Sequence, residues 1–178
     1  MSATGLEVFD TTLQETNHWL KLMMGELGTA DRHAAFGALR GALHAVRDRI
    51  GVHNAAHLGA QMPMLLRGAY YESWHPAATP TRERHLADFI DHVAAEMPRD
   101  SRIEAGEAAR ACFAVMSQCL DDGEMTKLRK LLPMRPLAAV GRDHIGCPDA
   151  GRRFQARPSS ASANGSFPGA WYRTPRGR

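Results

Sequence analysis

The stretch LEVFDTTLQETNHWLKLMMGELG, residues 6–28, indicates the fold class of the chain. One row of side chains, mostly apolar, recurs in it at alternating spacings of three and four: Leu6, Phe9, Leu13, Thr16, Leu20, Met23 and Leu27. This is the period of an amphipathic helix that packs one stripe against other helices. Gly28 is suited to end this helix, because glycine readily adopts the left-handed conformation of helix C-termini.

The helical period continues beyond residue 28. A second helix is predicted to start near Asp31 and to stop at Gly51. Its apolar stripe consists of Phe36, Leu39, Leu43, Val46 and Ile50. Asn54 is predicted to cap a third helix, which ends at Pro63 because an interior proline breaks a helix. Residues 64–74 are predicted to form a separate fourth segment.

Sliding the sequence by 70 residues places apolar positions on apolar positions from residue 19 to 69 without a gap. The pairs include Trp19 with Phe89, Met23 with Val93, Val46 with Met116, Leu58 with Leu128 and Pro63 with Pro133. This register indicates a duplicated three-helix unit over 6–70 and 80–140, although two unrelated helical hairpins can share such a register. Neither unit is large enough to bury much surface alone. We therefore expect one all-α domain over residues 1–147, a bundle of six to eight helices built from two duplicated units.

Composition and cysteine usage favour a cytoplasmic protein. Hydrophobic residues make up 44% and charged residues 23% of the 178 positions, as in ordinary globular domains. No apolar run approaches the ~20 residues of a membrane helix, and the first residues lack the pattern of a signal peptide. The cysteines are Cys112, Cys119 and Cys147, an odd number without a disulfide framework. We predict a cytoplasmic protein without membrane association.

The basic character of the chain is concentrated in its last residues. Residues 142–178 hold seven arginines against two aspartates, so their net charge is +5. Since the whole chain has a net charge of +3, residues 1–141 have a net charge of −2. Residues 148–178 have no helical stripe and are predicted to be a disordered basic tail. Nucleic-acid association through Arg152, Arg153 and Arg157 is one interpretation. A solvated appendage and a frameshifted end are the others.

One group of side chains has the composition of a metal site. His85, Asp88 and His92 fall within a 60° arc of a predicted helix, and two imidazoles with a carboxylate suit zinc or iron. The alternative is that this polar face simply meets solvent. His53 and His57 are not expected to share a face, since Asn54 as cap leaves His53 outside the helix. No motif for a cofactor or for a catalytic nucleophile is present, so we predict no cofactor and favour a protein that is not an enzyme.

The segment from Arg67 to His75 is the strongest candidate for a binding patch. On a helix that continues to Trp74, Leu66, Tyr70 and Trp74 form one row and Arg67, Tyr71 and His75 the next. Of the first row, Leu66 and Tyr70 are expected to enter the core. The patch Arg67, Tyr71, Trp74 and His75 then suits a protein partner or an anionic ligand. The alternative is that these aromatic side chains pack between the two halves of the domain.

The motifs LGAQMPMLLRGAYYESWHP (58–76), ALRGALHAVRDRI (38–50) and ARACFAVMSQCLDDGEMTKLRKLLP (109–133) carry a resemblance. With the first helix, they resemble the uncharacterised bacterial family called domain of unknown function 2267, over about residues 6–140. The resemblance implies an all-helical cytoplasmic protein and supplies no activity, substrate or catalytic residue. We therefore predict an interaction or regulatory module that presents a helical surface near residues 67–75 to a protein partner.

Overall fold

The computed structural model describes residues 5–132 of the chain. Within this range it contains α-helices, one short 3-10 turn at Pro76–Ala78 and no strand, so the predicted all-α class is confirmed. The helices are α1 (Glu7–Leu27), α2 (Arg32–Ile50), α3 (Val52–Ala60), α4 (Met64–Tyr71), α5 (Leu86–Glu96), α6 (Ala105–Cys119) and α7 (Asp122–Leu131). Seven helices agree with the six to eight expected. The predicted disordered tail at 148–178 and the end of the predicted domain at residue 147 lie outside the described residues.

Helix α2 is the centre of the bundle. It is buried along most of its length and packs against α1, α5 and α6. Its start is capped by the Asp31 carboxylate, which accepts hydrogen bonds from the backbone N–H groups of His33 (2.9 Å) and Ala34 (3.1 Å). The remaining helices are arranged around α2, so residues on its faces decide how the outer helices approach one another.

The stripe predicted on α1 is only partly buried. Met23 is fully buried, but Leu6, Phe9 and Leu13 are 52%, 43% and 37% exposed. The buried face of α1 instead passes through Thr12 and Trp19. The expectation that the whole stripe packs against other helices is therefore wrong for its first three members, because the buried side of the first turns of α1 is the one that carries Thr12.

The third and fourth helices differ from prediction at their ends. Helix α3 begins at Val52, so Asn54 is not its cap, and the Asn54 side-chain amide donates to the Ile50 carbonyl oxygen at 2.9 Å. Helix α4 ends at Tyr71 rather than at Trp74. The chain leaves the helix because Glu72 is extended and Ser73 has a positive φ of 54°, which no helix accommodates.

Helix positions recur at an offset of 70 residues. Val52 and Asp122 each begin a helix, and the last twelve residues of α1 correspond to α5 and its C-cap. The described pairs Trp19 and Phe89, Met23 and Val93, Val46 and Met116, Leu58 and Leu128 are all buried. The recurring helix bounds and the burial of both members of each pair are compatible with two related halves. The duplication itself stays a prediction.

Two helical glycines have opposite surroundings, which gives a prediction about stability. A Cβ added at Gly41 of α2 would lie 2.7 Å from Met97 Cγ and 3.1 Å from the Met97 backbone nitrogen, where α2 and α5 cross closely. A Cβ at Gly68 of α4 would meet nothing within 4 Å. Gly41→Ala is expected to lower the free energy of unfolding by about 1–3 kcal/mol because the crossing is overpacked. Gly68→Ala is expected to raise it by about 0.5–1 kcal/mol through helix propensity.

Urea unfolding of the two variants measures both effects. Since helix propensity alone predicts stabilisation for both substitutions, a stabilised Gly41→Ala protein would contradict the close crossing of α2 and α5.

No helix among the described residues is both long enough and apolar enough to cross a membrane.

Candidate functional site

The segment from Arg67 to His75, which we call the aromatic segment, is mainly packed against the bundle. Leu66 and Tyr70 are buried as predicted, and the Tyr70 hydroxyl donates to the Ala55 carbonyl oxygen at 3.1 Å. Burial raises the pKa of Tyr70 far above its ordinary value, with a smaller contribution from Tyr71. The ring of Tyr71 lies over Gly59, where an added Cβ would be 2.7 Å from its Cζ. This helix face therefore holds α3 and α4 together.

The four residues of the predicted patch do not form one exposed row. Arg67 is half-buried and donates to the Met62 carbonyl oxygen at 3.1 Å. Trp74 stacks on Tyr71 with centroids 5.4 Å apart, and its buried Nε1 has no hydrogen-bond partner among the described residues. His75 is exposed but lies beyond the helix end. The assumption that a helix carries all four residues is wrong, and their role as a binding patch stays a prediction.

A buried arginine that sequence reasoning missed holds the end of this segment. Arg47 of α2 is 3% exposed and binds both carboxylate oxygens of Asp48, at 2.7 and 3.0 Å. Its Nη1 donates to the carbonyl oxygens of Tyr70 (2.6 Å) and Glu72 (3.1 Å). The two bonds from Nη1 tie the C-terminus of α4 to α2, and the two bonds to Asp48 hold the guanidinium in place. The sequence does contain a signal for this burial. Arg47 is a basic residue four positions after Leu43 and three before Ile50, within the apolar stripe of α2.

A second buried polar residue, His44, joins three elements. Its Nδ1 lies 2.9 Å from a carboxylate oxygen of Glu96 on α5, and its Nε2 lies 2.7 Å from the carbonyl oxygen of Ala69 on α4. A carbonyl oxygen only accepts, so Nε2 carries a proton. The His44 side chain therefore links α2 to both α4 and α5.

A polar cleft of about 290 Å³ lies where the segment after α4 meets α2 and α5. It brings together one residue from each predicted site, His75 and His92. The His75 Nδ1 donates to the Ser73 carbonyl oxygen at 2.9 Å, and the His92 Nδ1 lies 2.6 Å from Glu83 Oε1. Most donors around the cleft are already bonded internally. We interpret the cleft as a crevice left by the packing of the aromatic segment.

The three predicted metal ligands are not brought together. His85 is the N-cap of α5, and its backbone N–H donates to the Asp88 carboxylate at 3.2 Å in a capping box. His92 points instead to Glu83 and lies 3.8 Å from Asp48. Within residues 5–132, no three side chains of His, Cys, Asp or Glu are placed to hold a metal ion. The local reason is that α5 begins at Leu86, so His85 and Asp88 close the helix end.

Cys112 does not have the environment of a nucleophile. Cys112 is fully buried in α6, and burial raises the pKa of its thiol to about 12. At such a pKa the thiolate, which is the reactive form, is scarce at neutral pH. Cys119 is half-buried at the end of the same helix.

Large apolar side chains are exposed at the starts of α1 and α4. The two helices pack against each other, and the backbone N–H of Leu65 donates to the Thr12 hydroxyl oxygen at 3.4 Å. The residues beside this contact form what we call the apolar surface: Leu6, Val8, Phe9, Leu13, Met64 and Leu65, each between 37% and 58% exposed. Sequence reasoning missed it because the stripe on α1 was assigned to the core.

Comparison with known proteins identifies a family. A family model described as "Uncharacterized conserved protein (DUF2267)" matches residues 16–138, more than half of the chain. No curated protein matches the chain. The matched range begins after Leu13, so the part of the apolar surface that lies on α1 precedes it.

Proposed function

The chain belongs to the DUF2267 family of uncharacterized conserved proteins, as its motifs predicted, and from this premise we propose that it is a protein-interaction module. Its partner binds the apolar surface at the starts of α1 and α4, rather than the predicted patch at residues 67–75. The family description names no activity, so the proposal rests on the surface itself.

The observation that carries the proposal is the clustering of exposed apolar side chains. Soluble proteins leave single apolar side chains exposed, but a contiguous group commonly marks a site for another macromolecule. Phe9 and Leu13 are neighbours one turn apart on α1, and Leu65 lies beside them through its contact with Thr12. Aromatic and aliphatic anchors of this kind supply most of the binding energy at protein interfaces.

The charge around the apolar surface indicates the chemistry of the partner. The first nine residues of α1 include Glu7, Asp10 and Glu15 and no basic residue. A second copy of this chain would place these acidic groups against one another, which is unfavourable. The proposed partner is therefore a different protein, which presents an apolar helix face flanked by lysine or arginine.

A double substitution tests this proposal. We expect Phe9→Ser with Leu13→Ser to weaken partner binding on the order of 100-fold, since removal of two anchors costs about 2.7 kcal/mol or more. Partners captured from a lysate of the source organism would be identified and purified, and their affinity measured by titration calorimetry. Binding to the unsubstituted protein should weaken with added salt, because the acidic rim contributes.

Val52→Ser is the matched control, because Val52 is 46% exposed at the start of α3, outside the apolar surface. It is expected to change the affinity less than 2-fold. Equal losses in both variants would contradict the proposal. So would a dimer of the protein alone, measured by sedimentation, that the double substitution dissociates.

The other predicted functions remain proposals with less support. Nucleic-acid association through Arg152, Arg153 and Arg157 concerns residues outside the described range. A cytoplasmic location stays a proposal that rests on the composition and on the odd number of cysteines in the sequence. The metal-binding alternative at His85, Asp88 and His92 lacks converging side chains.

A further inference from the structure

Two histidines that sequence reasoning separated lie on one face of α3. The helix begins at Val52, so both His53 and His57 are inside it, four residues apart. Both side chains are exposed, and their rings are in edge-to-face contact with centroids 4.6 Å apart. The sequence argument failed because it took Asn54 as the helix cap and so left His53 outside the helix.

We propose that His53 and His57 form a two-imidazole site for a divalent transition-metal ion. Histidines at positions i and i+4 of a helix are placed to bind one metal ion together, as in the zinc helices of metalloproteases. Neither ring has a hydrogen bond within residues 5–132, so no bond is lost when a ring turns its nitrogen toward a shared ion. Exposed side chains make such rotamer changes readily.

The ligand set determines which metals bind and what the site does. It contains two nitrogen ligands and no carboxylate, which favours Cu²⁺, Ni²⁺ and Zn²⁺ over Mg²⁺ and Ca²⁺. The residue after His53 is Asn54 and not the glutamate that serves as a base in metalloproteases. No third protein ligand is placed to join a metal here among the described residues. Water therefore completes the coordination, and the site binds and releases its metal without catalysing hydrolysis.

A basic residue near the site in the sequence, Arg49, does not rule out a cation. Arg49 lies near the end of α2, four residues before His53, and its Nε is 3.8 Å from Glu83 Oε2. This ion pair partly neutralises the guanidinium charge. Its remaining positive charge lowers affinity for a metal ion, which is consistent with an exchangeable site rather than a structural one.

The site is tested by calorimetric titration of the full chain with Ni²⁺ as the only added metal. We expect His53→Asn and His57→Asn each to weaken Ni²⁺ binding at least 10-fold, because either change leaves a single imidazole. His33→Asn is the matched control, an exposed histidine near the start of α2 that is outside this pair; it should leave the affinity within 2-fold. Mg²⁺ should produce no saturable heat.

A second readout separates this site from binding elsewhere in the chain. Metal that bridges one turn of the folded α3 should raise the unfolding temperature progressively as the Ni²⁺ concentration rises above the dissociation constant. That shift should disappear in both single variants and persist in His33→Asn. Unchanged Ni²⁺ affinity in His53→Asn and His57→Asn, equal losses in all three variants, or no Ni²⁺ binding below about 1 mM would overturn the proposal.

Discussion

Replacing Arg47 by methionine is expected to lower the free energy of unfolding by about 3–5 kcal/mol. Methionine fills similar space but leaves the Asp48 carboxylate, with its side chain 16% exposed, without its bidentate partner. The carbonyl oxygens of Tyr70 and Glu72 also lose their donor. Removal of one member of a buried ion pair costs more than the pair itself contributes, because the other charge stays desolvated. Urea unfolding followed by circular dichroism measures the change.

Arg40→Met is the control for this prediction. Arg40 also lies on α2, and it pairs with the Glu72 carboxylate at 2.9 Å, with the two side chains 32% and 56% exposed. Exposed pairs of this kind contribute about 0–1 kcal/mol. Equal losses for the two arginines would show that Arg47 does not hold the end of α4. Arg47→Lys should recover little stability, because an ammonium group cannot reproduce the bidentate geometry.

Phe89→Ala is expected to cost about 3–5 kcal/mol of unfolding free energy. Phe89 is fully buried on α5, which packs against both α2 and α6. Truncation therefore leaves a cavity between three helices, which their close packing cannot fill by a small shift. Thermal and urea unfolding should agree on the size of the loss.

Phe9→Ala provides the comparison, since it removes the same atoms from a side chain that is 43% exposed. It is expected to change the unfolding free energy by about 0.5 kcal/mol or less. A large loss there would mean that Phe9 packs in the core, and it would remove the basis of the proposed interaction surface.

The sequence predicts the helices well because their pattern is local. The stripe of α2, the break at Pro63 and the burial of Leu66 and Tyr70 depend on spacing within a few residues. Periodicity identifies an apolar face but not whether another helix covers it. Phe9 was therefore assigned to the core although it is exposed.

Features that depend on distant residues could not be predicted in this way. The end of α4 at Tyr71 is held by Arg47, which is 24 residues earlier in the chain. The burial of His44 depends on Glu96, which is 52 residues away. The shared face of His53 and His57 is an intermediate case, since it depends on a shift of the helix cap by three residues, from the predicted Asn54 to Gly51.

The unequal lengths of α1 and α5 bear on how much sequence change the start of α1 tolerates. Helix α5 has 11 residues and α1 has 21, so the first nine residues of α1, about 14 Å long, extend beyond the part of α1 that matches α5 at the offset of 70. Thr12 is the only buried residue among positions 7–15. Substitutions elsewhere in this segment are therefore expected to cost the bundle little. The stability of the bundle leaves eight of these nine positions open to change.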